Sequence, residues 1–470
     1  EDILPQAALT HSLDPSQLAG FAVVLLLVVL LGTAAARMVH SSSDFTVGSH
    51  RAGWPLVAGA IVGTLVAGSS TLGTAQLAYT SGLDAWWVTL GAGAAALILG
   101  LLSRRLNSRY LETVPQLLGE TYGPRIVPLT SIFSSLAIFL SIIGQGLSGV
   151  ALLTSLLPVG TLTAALLCLA LVLAYVFFGG VYGTGLIGQV KLVLLLLAFG
   201  AAGALSFILV GGWPGLQASL PTEPWLSLFG RGVGKDLAVG LSLVVGVLST
   251  QTYLQAMFAA RNWRAARTGS LVAAIATPIL GLGGVLVGLY MRVYFPGLPS
   301  ASVLPVFMLE HFPPFLAGMA LATLLVTVVS GWAGLTLGVA TMIGKDIFKR
   351  FLYPRANDRS VLWVERLIIL GISALAAILV VKASDSMIVD WYVLSLSLRG
   401  TTVLLPLLGA LFLPRWVHPG AGVLAALLGP LVVILWSWVD PAGIDPLYPG
   451  LALSTAILLG GGLLGRTLRK

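Results

Sequence analysis

An all-helical membrane protein crossing the bilayer about thirteen times is the fold class this sequence predicts, on three observations. The 470 residues are 57% hydrophobic and 9% charged, a balance far from that of a soluble domain. Apolar runs near membrane length recur from end to end, with no long polar stretch between them. One such run, Val62–Thr80, carries Ala67-Gly68-Ser69-Ser70-Thr71-Leu72-Gly73-Thr74 at its middle. In lipid the backbone must satisfy its own polar groups, so the spans are helical, and a run with a weak centre is a special one.

Taken in order, the apolar runs place spans at roughly 18–38, 54–82, 84–103, 126–154, 162–180, 186–212, 236–260, 268–293, 314–344, 362–383, 388–413, 420–439 and 449–466. They form a single membrane domain, 1–470, without a soluble appendage. The first, 18–38, follows Gln17 too late and runs too long for a plain signal peptide. With Glu1 rather than Met at its start, the chain is expected to lack its original first residues. The stretch Ser103–Arg125 contains Tyr110-Leu111-Glu112-Thr113-Val114-Pro115-Gln116 and predicts a short helix on the membrane surface. Gly211–Lys235, with Trp213, Trp225 and several prolines, predicts a loop with interfacial aromatics.

Basic residues set the expected orientation. One set of alternate loops holds Arg37, Arg51, Arg104, Arg105, Arg109, Arg125, Lys191, Arg261, Arg264, Arg267, Lys345, Lys349, Arg350, Arg355, Arg359, Arg366 and Arg415, and the tail Arg466, Arg469 and Lys470. The other holds few: Arg231, Lys235, Arg292 and Lys382. Glu1, Asp2 and Asp14 suit an external end. The expectation is a multi-pass cell-membrane protein with its amino terminus outside and its carboxyl terminus cytoplasmic. The net charge of +8 lies in short loops between apolar runs, so it is no nucleic-acid signature. The single cysteine, Cys168, excludes disulfides and cysteine-rich metal sites.

The weak centre of 62–80 has two readings. Glycine frees the backbone, and Ser and Thr compete for its hydrogen bonds. A broken membrane helix aims half-helix ends and loose carbonyls at a cation or a solute. The alternative is a small-residue face where two helices pack closely.

Four stretches, in order, carry a resemblance. They are VAGSSTLGTAQLAY around Ser69, TVPQLLGETYGPR from Thr113, and Phe178-Gly179-Gly180-Val181-Tyr182-Gly183-Thr184-Gly185-Leu186-Ile187-Gly188-Gln189. The fourth is Gln251-Thr252-Tyr253-Leu254-Gln255-Ala256-Met257-Phe258-Ala259-Ala260-Arg261. Together they resemble the sodium:solute symporter family, with Gln116 for a Glu, Gly185 for an Asp and Ala256 for an Arg of its patterns. The resemblance implies a LeuT-type fold of two inverted five-helix repeats, 54–212 and 236–413. The span 18–38 and the two within 420–466 are then accessory.

The resemblance also implies a sodium site between the break and the eighth core helix. Carbonyls of Ser69 and Leu72 fall at the first, and the carbonyl of Thr327 and hydroxyl of Ser330 at the second. Gly331 stands where the family carries a further hydroxyl. Sodium is the only cofactor implied; no organic cofactor is. Proton coupling or an uncoupled carrier are the alternatives.

Polar residues at membrane depth mark a candidate solute site: Ser70 and Thr71 at the break, Gln76, Gln145, Thr250, Gln251 and Arg399. Each alone also reads as an interhelical hydrogen bond. Asp84 stands just before Ala85-Trp86, where the sugar-carrying branch has a carboxylate. Arg399 is the sharpest residue, about 16 Å into its span at ~1.5 Å per residue. A guanidinium there costs roughly 2.5–3.5 kcal/mol on insertion scales, and Asp390 is more than two turns away. It reads either as a clamp for a carboxylate or as a structural cap on broken-helix carbonyls. The leading expectation is a symporter importing a small polar, anionic solute by alternating access. Its partners are the solute and the lipid bilayer; it acts as a monomer and binds no nucleic acid. A sensor retaining the fold is the alternative. An enzyme is not expected: there is no His-x-x-x-His, no paired intramembrane carboxylates and no nucleophile–base pair. His11, His40, His50, His311 and His418 fall in loops or near span ends.

Overall fold

The computed structural model describes residues 14–107, 111–176, 179–383, 386–439 and 444–467, the side chains of 464–467 aside. Glu1, Asp2, His11, Arg109, Tyr110, Phe178, Arg469, Lys470 and the side chain of Arg466 lie outside the described residues.

Helix α1 (Pro15–Ala36) opens on a reciprocal cap between Asp14 and Gln17. The next span is α2 (Trp54–Leu65) and α3 (Gly68–Ser81), bent by 46° across two residues. Then follow α4 (Trp87–Leu106), short α5 (Val114–Tyr122), α6 (Ile126–Leu156), α7 (Thr161–Val176) and α8 (Gly180–Leu209). A second bent pair, α9 (Val233–Leu248) and α10 (Gln251–Ala259), also turns by 46°. The chain continues through α11 (Trp263–Tyr294), α12 (Pro314–Thr341), α13 (Asp358–Lys382), α14 (Ile388–Phe412), α15 (Pro419–Val439) and α16 (Leu447–Thr467). Among the described residues nine helices are long and apolar enough to span, or eleven if each bent pair is one span. Two shorter apolar helices, Thr161–Val176 and Leu447–Leu463, accompany them.

The stretch expected to be one span at 236–260 is therefore broken, and each expected repeat begins with a bent pair. In the loop after α4, Thr113 caps α5 by accepting from the Gln116 amide at 3.2 Å. That short helix buries Val114, Leu117 and Leu118 on one face and exposes Glu120 on the other. The stretch 211–235 holds two short helices, Gly212–Ser219 and Thr222–Trp225. There Arg231 Nε lies 2.8 Å from Asp84 Oδ2, and Arg231 Nη2 2.8 Å from Asp236 Oδ1. Asp84 is thus a buried partner of an ion pair.

The core helices interlock through glycine. A Cβ on Gly188 would lie 2.0 Å from the carbonyl oxygen of Gly59, and one on Gly59 2.2 Å from that of Gly185. Here α8 lies directly on α2, backbone to backbone. The peripheral α1 docks the same way on α12, where a Cβ on Gly20 would meet Phe315 O at 2.0 Å. Its other face exposes Leu26, Val29 and Leu30, as a lipid-facing helix does. One expectation fails here. Lys191, grouped with loop cations, lies inside α8 and is 1% exposed.

Candidate functional site

The site is built on the first break. Val66 (φ −89°, ψ 87°) and Ala67 (φ −127°, ψ −166°) leave the helical region, so α2 ends and α3 begins with unpaired groups. Side chains close the new amino end. Ser70 Oγ accepts from the Ala67 amide at 2.8 Å. Thr71 Oγ1 donates to Ala67 O at 2.7 Å. From α6, Gln145 Oε1 accepts from the Gly68 amide at 2.8 Å, while its Nε2 donates to Ser69 Oγ at 3.0 Å. The hydroxyl-rich sequence thus specifies the break by capping it. Losing Gln145 strands a buried amide, at a cost of about 1–3 kcal/mol. Gln145→Leu should therefore lower the melting temperature of the solute-free protein, while Gln145→Glu, which keeps the acceptor, should lower it less. Thermal unfolding of the two purified variants beside the parent checks this.

The carboxyl end of α2 is closed by a cation. Lys191 Nζ donates to Gly63 O, Val66 O and Ser330 Oγ, each at 2.7 Å. Ser330 Oγ in turn lies 2.9 Å from Gly63 O and 3.0 Å from Thr327 O, either of which takes its one proton. Thr327 Oγ1 donates back to Thr323 O. The carbonyls at the break are therefore those of Gly63 and Val66. Ser69 and Leu72, expected as the carbonyl donors, fall inside the turns of α3, where their carbonyls serve the helix itself. A hydroxyl at position 331 has no room, since a Cβ on Gly331 would lie 2.4 Å from Ala67 Cβ and 3.2 Å from Gln145 Oε1.

The second break is capped locally. Thr250 Oγ1 donates to Gly246 O at 2.6 Å and Ser249 Oγ to Val245 O at 2.7 Å. Gln251 faces the α5 loop, accepting from the Val114 amide at 2.8 Å and donating to Glu112 O at 2.9 Å. Gln255 reaches Thr46 O. Gln76 turns the other way: its Nε2 donates to Ser300 Oγ at 3.3 Å, and its Oε1 is buried without a partner. The expected solute residues are therefore spread over several hydrogen-bonded places. Ser70, Thr71 and Gln145 gather at the first break, Thr250 at the second, and Gln251 and Gln76 point toward opposite loops.

Arg399 is fully buried in α14, whose Leu396 and Gly400 pack on Gly246 and Val245 beside the second break. Its Nη2 donates to Ser141 Oγ at 2.7 Å and Ser395 Oγ at 3.0 Å, and its Nε to Ser395 O at 3.3 Å. Nη1 is buried with no protein partner. The phenols of Tyr253 on α10 and Tyr392 on α14 lie near each other and close enough to interact with its charge. The sequence reading missed Lys191, Gly63, Val66, Tyr253, Tyr392, Ser141 and Ser395. For Lys191 a signal existed: like Arg399, it is a cation inside an apolar run, KLVLLLLAFG.

Comparison with known proteins agrees with this architecture. The model of the family described as sodium:solute symporter matches residues 45–429. A sodium/proline symporter of Haemophilus influenzae is 25% identical, over 95% of this chain and 94% of that protein. A sodium/proline symporter of Escherichia coli is 23% identical, over 97% and 94%. A Na+-coupled sialic acid symporter, solved substrate-bound and outward-open, superposes with a TM-score of 0.77 at 16% identity, over 96% of this chain and 97% of that one. The fold is of the LeuT type. With a family match across most of its length, the chain belongs to the sodium:solute symporter family and is a membrane transporter, not an enzyme.

Proposed function

We propose that the protein is a secondary active transporter that imports a small carboxylate-bearing solute by alternating access, driven by a cation acting at the α2–α3 break. The observation that carries the solute class is Arg399: a buried guanidinium with Nη2 held by two serines and Nη1 left without a protein partner. A carboxylate is an acceptor suited to the two open N–H groups of Nη1. The solutes named for the relatives above, proline and sialic acid, both carry one. In this reading the repeats are 54–212 and 236–413, the amino terminus faces outward, and a single chain suffices.

The family and its named relatives support sodium as the driving ion. Lys191 favours a second reading, in which the ion is a proton. Purified protein is first screened by thermal shift against amino acids and other carboxylates, since a ligand stabilises according to its concentration over its Kd. Uptake of the stabilising solute into proteoliposomes is then measured under imposed sodium and proton gradients. Accumulation above the external concentration under either gradient is expected. Equilibration without accumulation under both would replace this reading with an uncoupled carrier.

A further inference from the structure

We propose that Lys191 is a tethered cation: its ammonium fills the cation position at the α2–α3 break in place of a sodium ion. The inference rests on the transporter reading, but not on the solute.

The donor set decides which cation fits. A protonated lysine has three N–H groups and no acceptor. Here each finds one oxygen at 2.7 Å, from Gly63, Val66 and Ser330. Two are carbonyls at the carboxyl end of half-helix α2, where the helix dipole is negative. The ammonium is therefore saturated, which is what a fully buried charge requires. A hard cation gathers several oxygens around one point. Any ion bound by Gly63 O, Val66 O and Ser330 Oγ would share the space of Nζ and meet its like charge. No hydroxyl can be added at Gly331 without meeting Ala67. The set as built suits an ammonium, and sodium enters only when that ammonium leaves.

Lys191 reaches the break because α8 lies on α2 at glycine distance. A Cβ on Gly63 would come within 3.1 Å of Thr184 O and 3.4 Å of Gly188 Cα. No carboxylate forms an ion pair with Lys191 among the described residues. Of the elements packed on α8, α1, α2, α12 and Gly212–Ser219 carry no titratable side chain. Helix α7 brings Cys168 and Tyr175, the latter beside Ser330. Ser42–Val47 brings Asp44, engaged by Ser41 and Ser49. Helix α11 brings Arg264, Arg267, Tyr290, Arg292 and Tyr294 near its ends, and α8 itself Tyr182. Among the described residues the ammonium is met by carbonyl and hydroxyl dipoles.

The three bonds form a clasp that joins α2, α8 and α12 at the break.

The test uses the full chain in detergent at neutral pH, with sodium as the probe against equal potassium, and reads melting temperature. In the parent, sodium is expected to have no effect. Lys191→Ala, or Lys191→Gln should the smaller side chain not fold, is expected to gain a sodium shift of at least about 3 °C. Lys191→Arg keeps a charge in the place and should show no sodium shift. A sodium shift in the parent or in Lys191→Arg equal to that of the charge-removed variant would overturn the proposal. So would a folded charge-removed variant indifferent to sodium. Because this readout needs no solute, failure of the transport reading in the uptake assay remains distinguishable from failure here.

Discussion

Arg399→Gln is expected to insert and fold, yet to bind the solute at least about 100-fold more weakly, since two charge-assisted hydrogen bonds at roughly 1.5–3 kcal/mol each are lost. In the folded protein the guanidinium spends Nη2 on Ser141 and Ser395 and leaves Nη1 unpartnered. A glutamine amide can still reach a serine, so the local network survives its arrival. The solute-free variant should be as stable as the parent or more so, because a buried charge without a counter-charge has gone. Arg399→Lys should fare no better in binding, because a point ammonium cannot hold two serines and a carboxylate in the fixed fork that arginine provides. The competing role is structural, with Arg399 acting only to join α6 to α14 through Ser141. It predicts the opposite pattern: poorly folded variants whose surviving fraction binds like the parent. Melting temperatures of the three proteins with and without the solute separate the two. A stable Arg399→Gln protein with the parent's ligand shift would remove the carboxylate clamp.

Gly188→Leu should abolish assembly of the transporter altogether. The added Cβ would stand 2.0 Å from the Gly59 carbonyl oxygen, and both partners are backbone, so no rotamer relieves the contact. Overpacking costs typically about 1–3 kcal/mol and more where nothing can yield; here α8 must move off α2. The same displacement would draw Lys191 away from Gly63 and Val66, opening the clasp as well as the packing. Gly200→Leu is the control, on the same helix with nothing within 4 Å of its added Cβ. Size-exclusion profiles of the solubilised variants should show a monodisperse peak for Gly200→Leu and aggregate or no peak for Gly188→Leu. A well-folded Gly188→Leu protein would mean that the two helices are not held at glycine distance.

Much of this protein was determined by sequence alone, because lipid imposes rules that act locally. Every apolar run had to become a helix to satisfy its own backbone, so the long spans were legible without any knowledge of neighbours. The weakness at Ala67–Thr71 was legible for the same reason: small and hydroxyl residues cannot hold a continuous helix there. The register of the break was not. Ser70 and Thr71 lie in the first turn of α3 and bond back to Ala67, so the free carbonyls fall earlier, at Gly63 and Val66. Nothing in the local string separates a capping hydroxyl from a cation ligand; only the fold shows which way it bonds.

The glutamines show the same division. Gln145 and Gln251 were visible as polar groups at membrane depth, but their partners, Gly68 and Val114, are 77 and 137 residues away. Tertiary structure decided that both cap backbone at element ends. Lys191 is the sharpest case. Counting basic residues placed it in a loop, whereas the folded chain buries it against oxygens 125 to 139 residues distant. A charge can be buried only where acceptors converge to replace water, and convergence of Gly63, Val66 and Ser330 is a property of α2, α8 and α12 packed together, which no single stretch contains.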